Sequence, residues 1–104
     1  MGLEEFKEKL KRYKREEIIF SYHARLRAEF REVNLEEIQG NILNPEKLVY
    51  FREVSAEKKN EKKYECYFAY NENLCHKYVL VLNGKVIIVT IIVINRRWQS
   101  MLRK

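Results

Sequence analysis

The segment Val86-Ile87-Ile88-Val89-Thr90-Ile91-Ile92-Val93-Ile94 carries branched apolar side chains at every position but one and no charge at all. A run this short and this rich in β-branched residues reads as a strand buried on both faces, and it cannot cross a bilayer as a helix. Asn83-Gly84 immediately precedes it and is the strongest hairpin signal in the chain, so Leu74 to Leu82 is expected to run antiparallel beside it. The same run is expected to be the central and most buried strand of the sheet. Thr90 lies midway along it, and a hydroxyl there must find a hydrogen-bond partner or a ligand.

Working back from this hairpin, Tyr64, Cys66, Phe68 and Tyr70 alternate with Glu65, Tyr67 and Ala69, the pattern of a half-buried strand, and Asn71-Glu72-Asn73 turns it. Leu48 to Val54 marks one more strand, joined to the next by the solvated stretch Ser55 to Lys63. Before Pro45 the period changes to that of helices. Leu3, Phe6, Leu10 and Tyr13 define an amphipathic first helix within residues 1–15, and Ile18 to Phe20 reads as an edge strand or extended connector. Ser21 suits an N-cap, and Tyr22, Leu26, Phe30 and Val33 recur as the apolar stripe of a second helix. Asn34 with Glu37 resembles a capping box, Leu35, Ile38 and Ile42 supply a third stripe, and Asn44-Pro45 ends it. The expected fold is α+β: two or three N-terminal helices on one face of a three- to four-stranded antiparallel sheet, with a short C-terminal helix.

The chain has 104 residues, 46% of them hydrophobic and 12% aromatic, which supports one self-folding domain. The 35% charged fraction, rich in Lys and Glu, is the balance of heat-adapted proteins. Lys and Arg outnumber Asp and Glu by 21 to 15, for a net charge of +6 that favours polyanionic partners. The N-terminus is too charged for a signal peptide, and Cys66 and Cys75 sit out of register for a disulfide, so free thiols in the cytoplasm are expected, without a membrane. Neither CxxC nor HxxxH spacing supports a zinc site. With no Walker loop, GxSxG, HExxH or paired-carboxylate motif, the chain shows no apparatus for nucleotide hydrolysis, acyl transfer or two-metal chemistry, and no cofactor is expected.

His23, Arg27 and Arg31 are four apart and so stack along one face of the second helix. Like charges at that spacing repel, and a bound anion is one natural compensation. The alternative is a solvated basic face whose charges pair with Glu29, Glu32 or carboxylates of the sheet. His76, near the start of the penultimate strand, can exchange a proton or bond a phosphate. Arg96, Arg97, Arg103 and Lys104 surround Trp98 in a basic C-terminal segment, and Trp98, Tyr64, Tyr67, Tyr70 and Tyr78 are candidates to stack on unpaired bases.

The stretch Phe20-Ser21-Tyr22-His23-Ala24-Arg25-Leu26-Arg27, continuing to Arg31, then Leu35-Glu36-Glu37-Ile38 and Asn44-Pro45, resembles a family of small domains marked by a His-Ala pair with Arg four and often eight residues on. Leu74 to Val81 is similar to that family's penultimate strand, and Ile88-Val89-Thr90 to its Val-Thr ending, so the resemblance covers residues 16–94. The family is grouped with RelE/ParE-like and BrnT-like toxins. The resemblance implies two helices on a curved antiparallel sheet, RNA cleavage without metal, and an acidic antitoxin as partner. The first helix is extra to this motif. On this reading the protein is a toxin-like endoribonuclease, with His23 as acid or base, Arg27 and Arg31 clamping phosphate, His76 as the second proton-transfer group and Thr90 as a hydrogen-bond donor. The alternatives are a non-catalytic nucleic-acid-binding module, using Tyr67, Arg96, Arg97 and Trp98, or an interaction domain whose basic groove takes an acidic partner. A homodimer is an open alternative for its assembly.

Overall fold

A computed structural model describes residues 1–102, so the expected basic contributions of Arg103 and Lys104 lie outside the described residues. Three helices, α1 (Leu3–Lys11), α2 (Tyr22–Phe30) and α3 (Leu35–Leu43), cover one face of a five-stranded sheet. The strands are β1 (Ile18–Phe20), β2 (Leu48–Val54), β3 (Lys62–Asn71), β4 (Leu74–Leu82) and β5 (Val86–Ile94), in the spatial order β1-β5-β4-β3-β2. The α+β class and the strand bounds Leu48–Val54, Leu74–Leu82 and Val86–Ile94 agree with the sequence reading. The sheet corrects it in two respects: it has five strands, and it is mixed, because β1 pairs parallel to β5 while the other pairs are antiparallel. A three-residue strand carries too little pattern to declare a partner. It covers the edge of β5 that β4 leaves open, so β5 is an interior strand as expected, although the middle and more continuously buried strand is β4.

The main core lies between helices and sheet. Phe6 and Leu10 of α1, Ala24 and Ala28 of α2, and Ile38 and Ile42 of α3 meet Tyr64, Cys66, Phe68, Tyr78, Leu80, Ile88 and Ile91. The first helix is thus built into the core, with the Phe6 ring stacked on Phe51 at 4.1 Å. A second, smaller cluster covers the far face, where Tyr67, Cys75, Ile94 and Trp98 pack together and Trp98 Nε1 donates to the Asn71 carbonyl at 2.7 Å. The C-terminal helix is one 3₁₀ turn, Gln99–Leu102. Both thiols are free and buried, Cys66 in the main core and Cys75 in the far cluster.

The face by which α2 packs reverses the expectation. Ala24 and Ala28 turn to the sheet, whereas Tyr22, Leu26 and Phe30 are exposed. Both sets have i, i+4 spacing, so periodicity allows either, and the choice is made by the tether at the helix start. Ser21 N–H donates to the Ile88 carbonyl at 3.0 Å and its hydroxyl to the Val89 carbonyl at 2.9 Å, while Ser21 Oγ accepts from Ala24 N–H as the N-cap. This ties α2 close against β5, where small side chains fit and large ones do not.

The same tether sits at a β-bulge. Val79 pairs with Thr90 but Leu80 pairs with Ile88, so β5 holds one extra residue at this point. The extra residue breaks the period of two: Ile88 and Ile91 both enter the core, and Thr90 is turned to the far face with Val79.

At its other end α2 closes in a Schellman motif, with Val33 N–H bonded to the Ala28 carbonyl at 2.8 Å and Glu32 N–H to the Glu29 carbonyl at 3.1 Å. Glu32 takes φ +56°, the left-handed region that costs a side-chain-bearing residue about 1–2 kcal/mol. Glu32→Gly is therefore expected to raise stability by about 1 kcal/mol in urea denaturation, and a loss would show that the Glu32 side chain makes a compensating contact.

Candidate functional site

The exposed side of α2 carries two parallel rows. His23, Arg27 and Arg31 form one at i, i+4, i+8; Tyr22, Leu26 and Phe30, each one residue earlier, form the other, pointing away from Ala24 and Ala28. A shallow surface groove is lined by His23, Leu26, Arg27, Glu29 and Phe30. Glu29 stands across the apolar row from the cations, beside Arg25, whose guanidinium lies 5.9 Å from the Phe20 ring centre.

The expected alternative for the cations was neutralisation by nearby carboxylates. Among the described residues no carboxylate pairs with His23, Arg27 or Arg31. Arg31 instead places its guanidinium 5.7 Å from the Phe30 ring centre, joining the two rows. Arg27 is half-buried and its Nε is fully covered, yet no acceptor among the described residues reaches it. A covered guanidinium N–H without an acceptor costs about 1–3 kcal/mol, more than an exposed one, and marks where an anion would be gained.

The remaining expected site residues are dispersed. Thr90 is on the far face of the sheet, removed from the α2 row by the bulge, so it does not complete a site with His23. His76 faces the helices but is only 5% exposed, in the α3–sheet interface, so its expected service beside His23 is replaced by a structural one. Tyr67 and Trp98, expected to stack on bases, are buried in the far-face cluster, and their rings are committed: Tyr50 packs edge-on to Tyr67 at 5.7 Å, and Lys77 Nζ lies 5.5 Å from the Tyr67 ring centre. Arg96 and Arg97 are exposed, and Arg97 Nη2 lies 3.6 Å from Glu72 Oε2.

A polar network that the sequence reading did not assemble surrounds His76. Asn41 Nδ2 donates to the hydroxyls of Tyr70 and Tyr78, each at 2.9 Å. The Tyr70 hydroxyl donates to Glu37 Oε2, and the Tyr78 hydroxyl lies 2.9 Å from His76 Nδ1. The Tyr78 hydroxyl thus joins His76 Nδ1 to Asn41, and Asn41 joins both to Tyr70 and Glu37 in one continuous chain. Burial holds the His76 imidazole below its ordinary pKa, against the pull of Glu37. Burial and the bond to Glu37 push the Tyr70 phenol up to about 12. The network therefore stays un-ionised at its tyrosines and imidazole near neutral pH. In the sequence its only signals were the i, i+4 pair Glu37 and Asn41 and the i, i+2 pair His76 and Tyr78, and nothing linked the two.

No protein-family model, no curated protein and no solved structure matches the chain. No helix among the described residues is long and apolar enough to cross a membrane.

Proposed function

We propose that the protein binds RNA through α2, its phosphates held by Arg27 with His23 and Arg31 above and below. The observation that carries this reading is the Arg27 guanidinium, half-buried and without an acceptor, in a row with His23 and Arg31 that no carboxylate among the described residues pairs with. A phosphate supplies the missing acceptor in a charge-assisted, bidentate bond, and the net charge of +6 favours such a ligand at longer range. The His-Ala-x-x-Arg resemblance motivates a toxin-like role on RNA, of which the structure shares the α+β class but not the all-antiparallel sheet, and free buried thiols suit a cytoplasmic protein. An acidic antitoxin segment would compete for the same row.

The proton-transfer pair expected for cleavage, His23 with His76, is not brought together. A metal-independent attack by a 2′-hydroxyl needs one group to take a proton and another to give one, and His76 is enclosed in the network, while Glu29, the carboxylate in the groove with His23, stands across the apolar row from it. Binding without cutting is thus the reading the geometry supports best. Labelled RNA titrated with protein in EDTA tests it. Arg27→Ala should weaken binding at least about tenfold and lower the slope of log affinity against log salt by about one, with the melting temperature not lowered, since the variant also removes the covered N–H. Wild-type affinity in Arg27→Ala would refute the phosphate site. Products with 2′,3′-cyclic phosphate ends, lost in His23→Ala, would restore the endoribonuclease.

A further inference from the structure

Resting on the phosphate reading, the apolar row beside the cations specifies what kind of strand is bound. Tyr22 and Phe30 are 77% and 74% exposed, with Leu26 between them at 45%. Nothing in the fold calls for large apolar side chains there, because Ala24 and Ala28 already make the contact with the sheet. Singly exposed apolar residues are ordinary, but three in one row with His23, Arg27 and Arg31 beside them in turn form a patterned surface.

We propose that α2 recognises unpaired RNA, two bases stacking on Tyr22 and Phe30 while the cation row holds the intervening phosphates. The dimensions suit this. Four residues of α-helix advance about 6 Å, close to the phosphate-to-phosphate step of an extended strand, so His23, Arg27 and Arg31 stand about one nucleotide apart. Tyr22 and Phe30 are then separated by about 12 Å, two nucleotides, with Leu26 under the base between. Arg31 lies against the Phe30 ring, which orients that ring and adds a delocalised cation to the stack. A duplex cannot use this surface. Its bases are stacked on one another, and its phosphates would leave the three apolar side chains against water and charge. A protein partner could cover the row, but would leave Arg27 without its acceptor unless it also brought a carboxylate to that point.

The test is fluorescence anisotropy with a labelled pyrimidine RNA strand, the same strand annealed to its complement, and the DNA strand of that sequence, each with wild-type protein and four variants. Wild-type protein should bind the single strand at least about tenfold more tightly than the duplex, and the DNA strand no more tightly than the RNA. Tyr22→Ala with Phe30→Ala should cost about a hundredfold on the single strand and leave weak duplex binding in place, since each stacked base contributes about tenfold or more. Tyr22→Phe with Phe30→Tyr keeps both rings and should restore affinity, whereas Tyr22→Leu with Phe30→Leu keeps only the hydrophobic surface and should not. All these side chains are exposed, so the folded state is preserved, and thermal melting checks it. Equal affinity for strand and duplex, full binding by the double-leucine variant, or tighter binding of the DNA strand overturns the unpaired-RNA proposal. In those cases a loss in Arg27→Ala, the fourth variant, still upholds the phosphate site. Binding of an acidic peptide with no binding of RNA overturns both.

Discussion

Phe6→Ala is expected to remove about 3–5 kcal/mol of stability, the cost of deleting a fully enclosed aromatic ring. The side chain has no exposed surface, its ring stacks on Phe51 at 4.1 Å and within 4° of parallel, and the Tyr64 ring centre is 4.8 Å away. The cavity cannot close by local collapse, because Phe51 and Tyr64 are held by neighbouring strands, β2 and β3, whose ladder runs through both residues. Glu8→Ala, on the exposed side of the same helix, breaks only the 3.0 Å surface pair with Lys11 and should change stability by less than about 0.5 kcal/mol. Urea denaturation of the two variants beside wild type measures the contrast. Near-wild-type stability in Phe6→Ala would mean that the first helix is an appendage and not a wall of the core.

That helix shows how much of the fold could be read in advance. Its amphipathic period was plain, and the apolar positions Phe6 and Leu10 are the ones that enter the core. The hairpin around Asn83-Gly84 was equally legible, since Gly84 takes φ +91°, a conformation that few other residues adopt without strain. What could not be read were features set by contacts distant in sequence. The parallel pairing of Ile18, Ile19 and Phe20 with Val86, Ile87 and Ile88 joins segments nearly seventy residues apart. The bulge that turns Thr90 outward is recorded in no local pattern, and the Ser21 hydroxyl that bonds the Val89 carbonyl there comes from 68 residues away in sequence.

The candidate site divides in the same way. The stacking of His23, Arg27 and Arg31 follows from helical spacing alone. Their exposure beside Tyr22, Leu26 and Phe30 depends on which of two equally spaced rows faces the sheet, and hydrophobicity chose the larger side chains where close packing chose alanine. The chemistry of His76 is plain from its residue type, but its partners Tyr78, Asn41 and Tyr70 converge only when α3 is laid over β3 and β4.

That convergence gives the remaining large effect. Asn41→Leu keeps the volume of the side chain and removes the donor shared by Tyr70 and Tyr78. The partly exposed Tyr70 can turn to water, but the enclosed Tyr78 oxygen cannot, and the expected loss is about 2–4 kcal/mol. Acid should strike the same network. His76 is held neutral below its ordinary pKa, so the unfolded chain binds a proton more readily than the folded one. Stability should therefore fall as the pH drops below about 6.5, with this residue adding a slope of at most about 1.4 kcal/mol per pH unit, and the fall ends once the folded imidazole is itself protonated. His76→Phe removes this titration, and its stability curve should be flatter than wild type between pH 6.5 and the acid limb of the carboxylates. A wild-type curve parallel to that of His76→Phe through this range would show that His76 is hydrated and free to take a proton, and the network would then be no barrier to its use in chemistry.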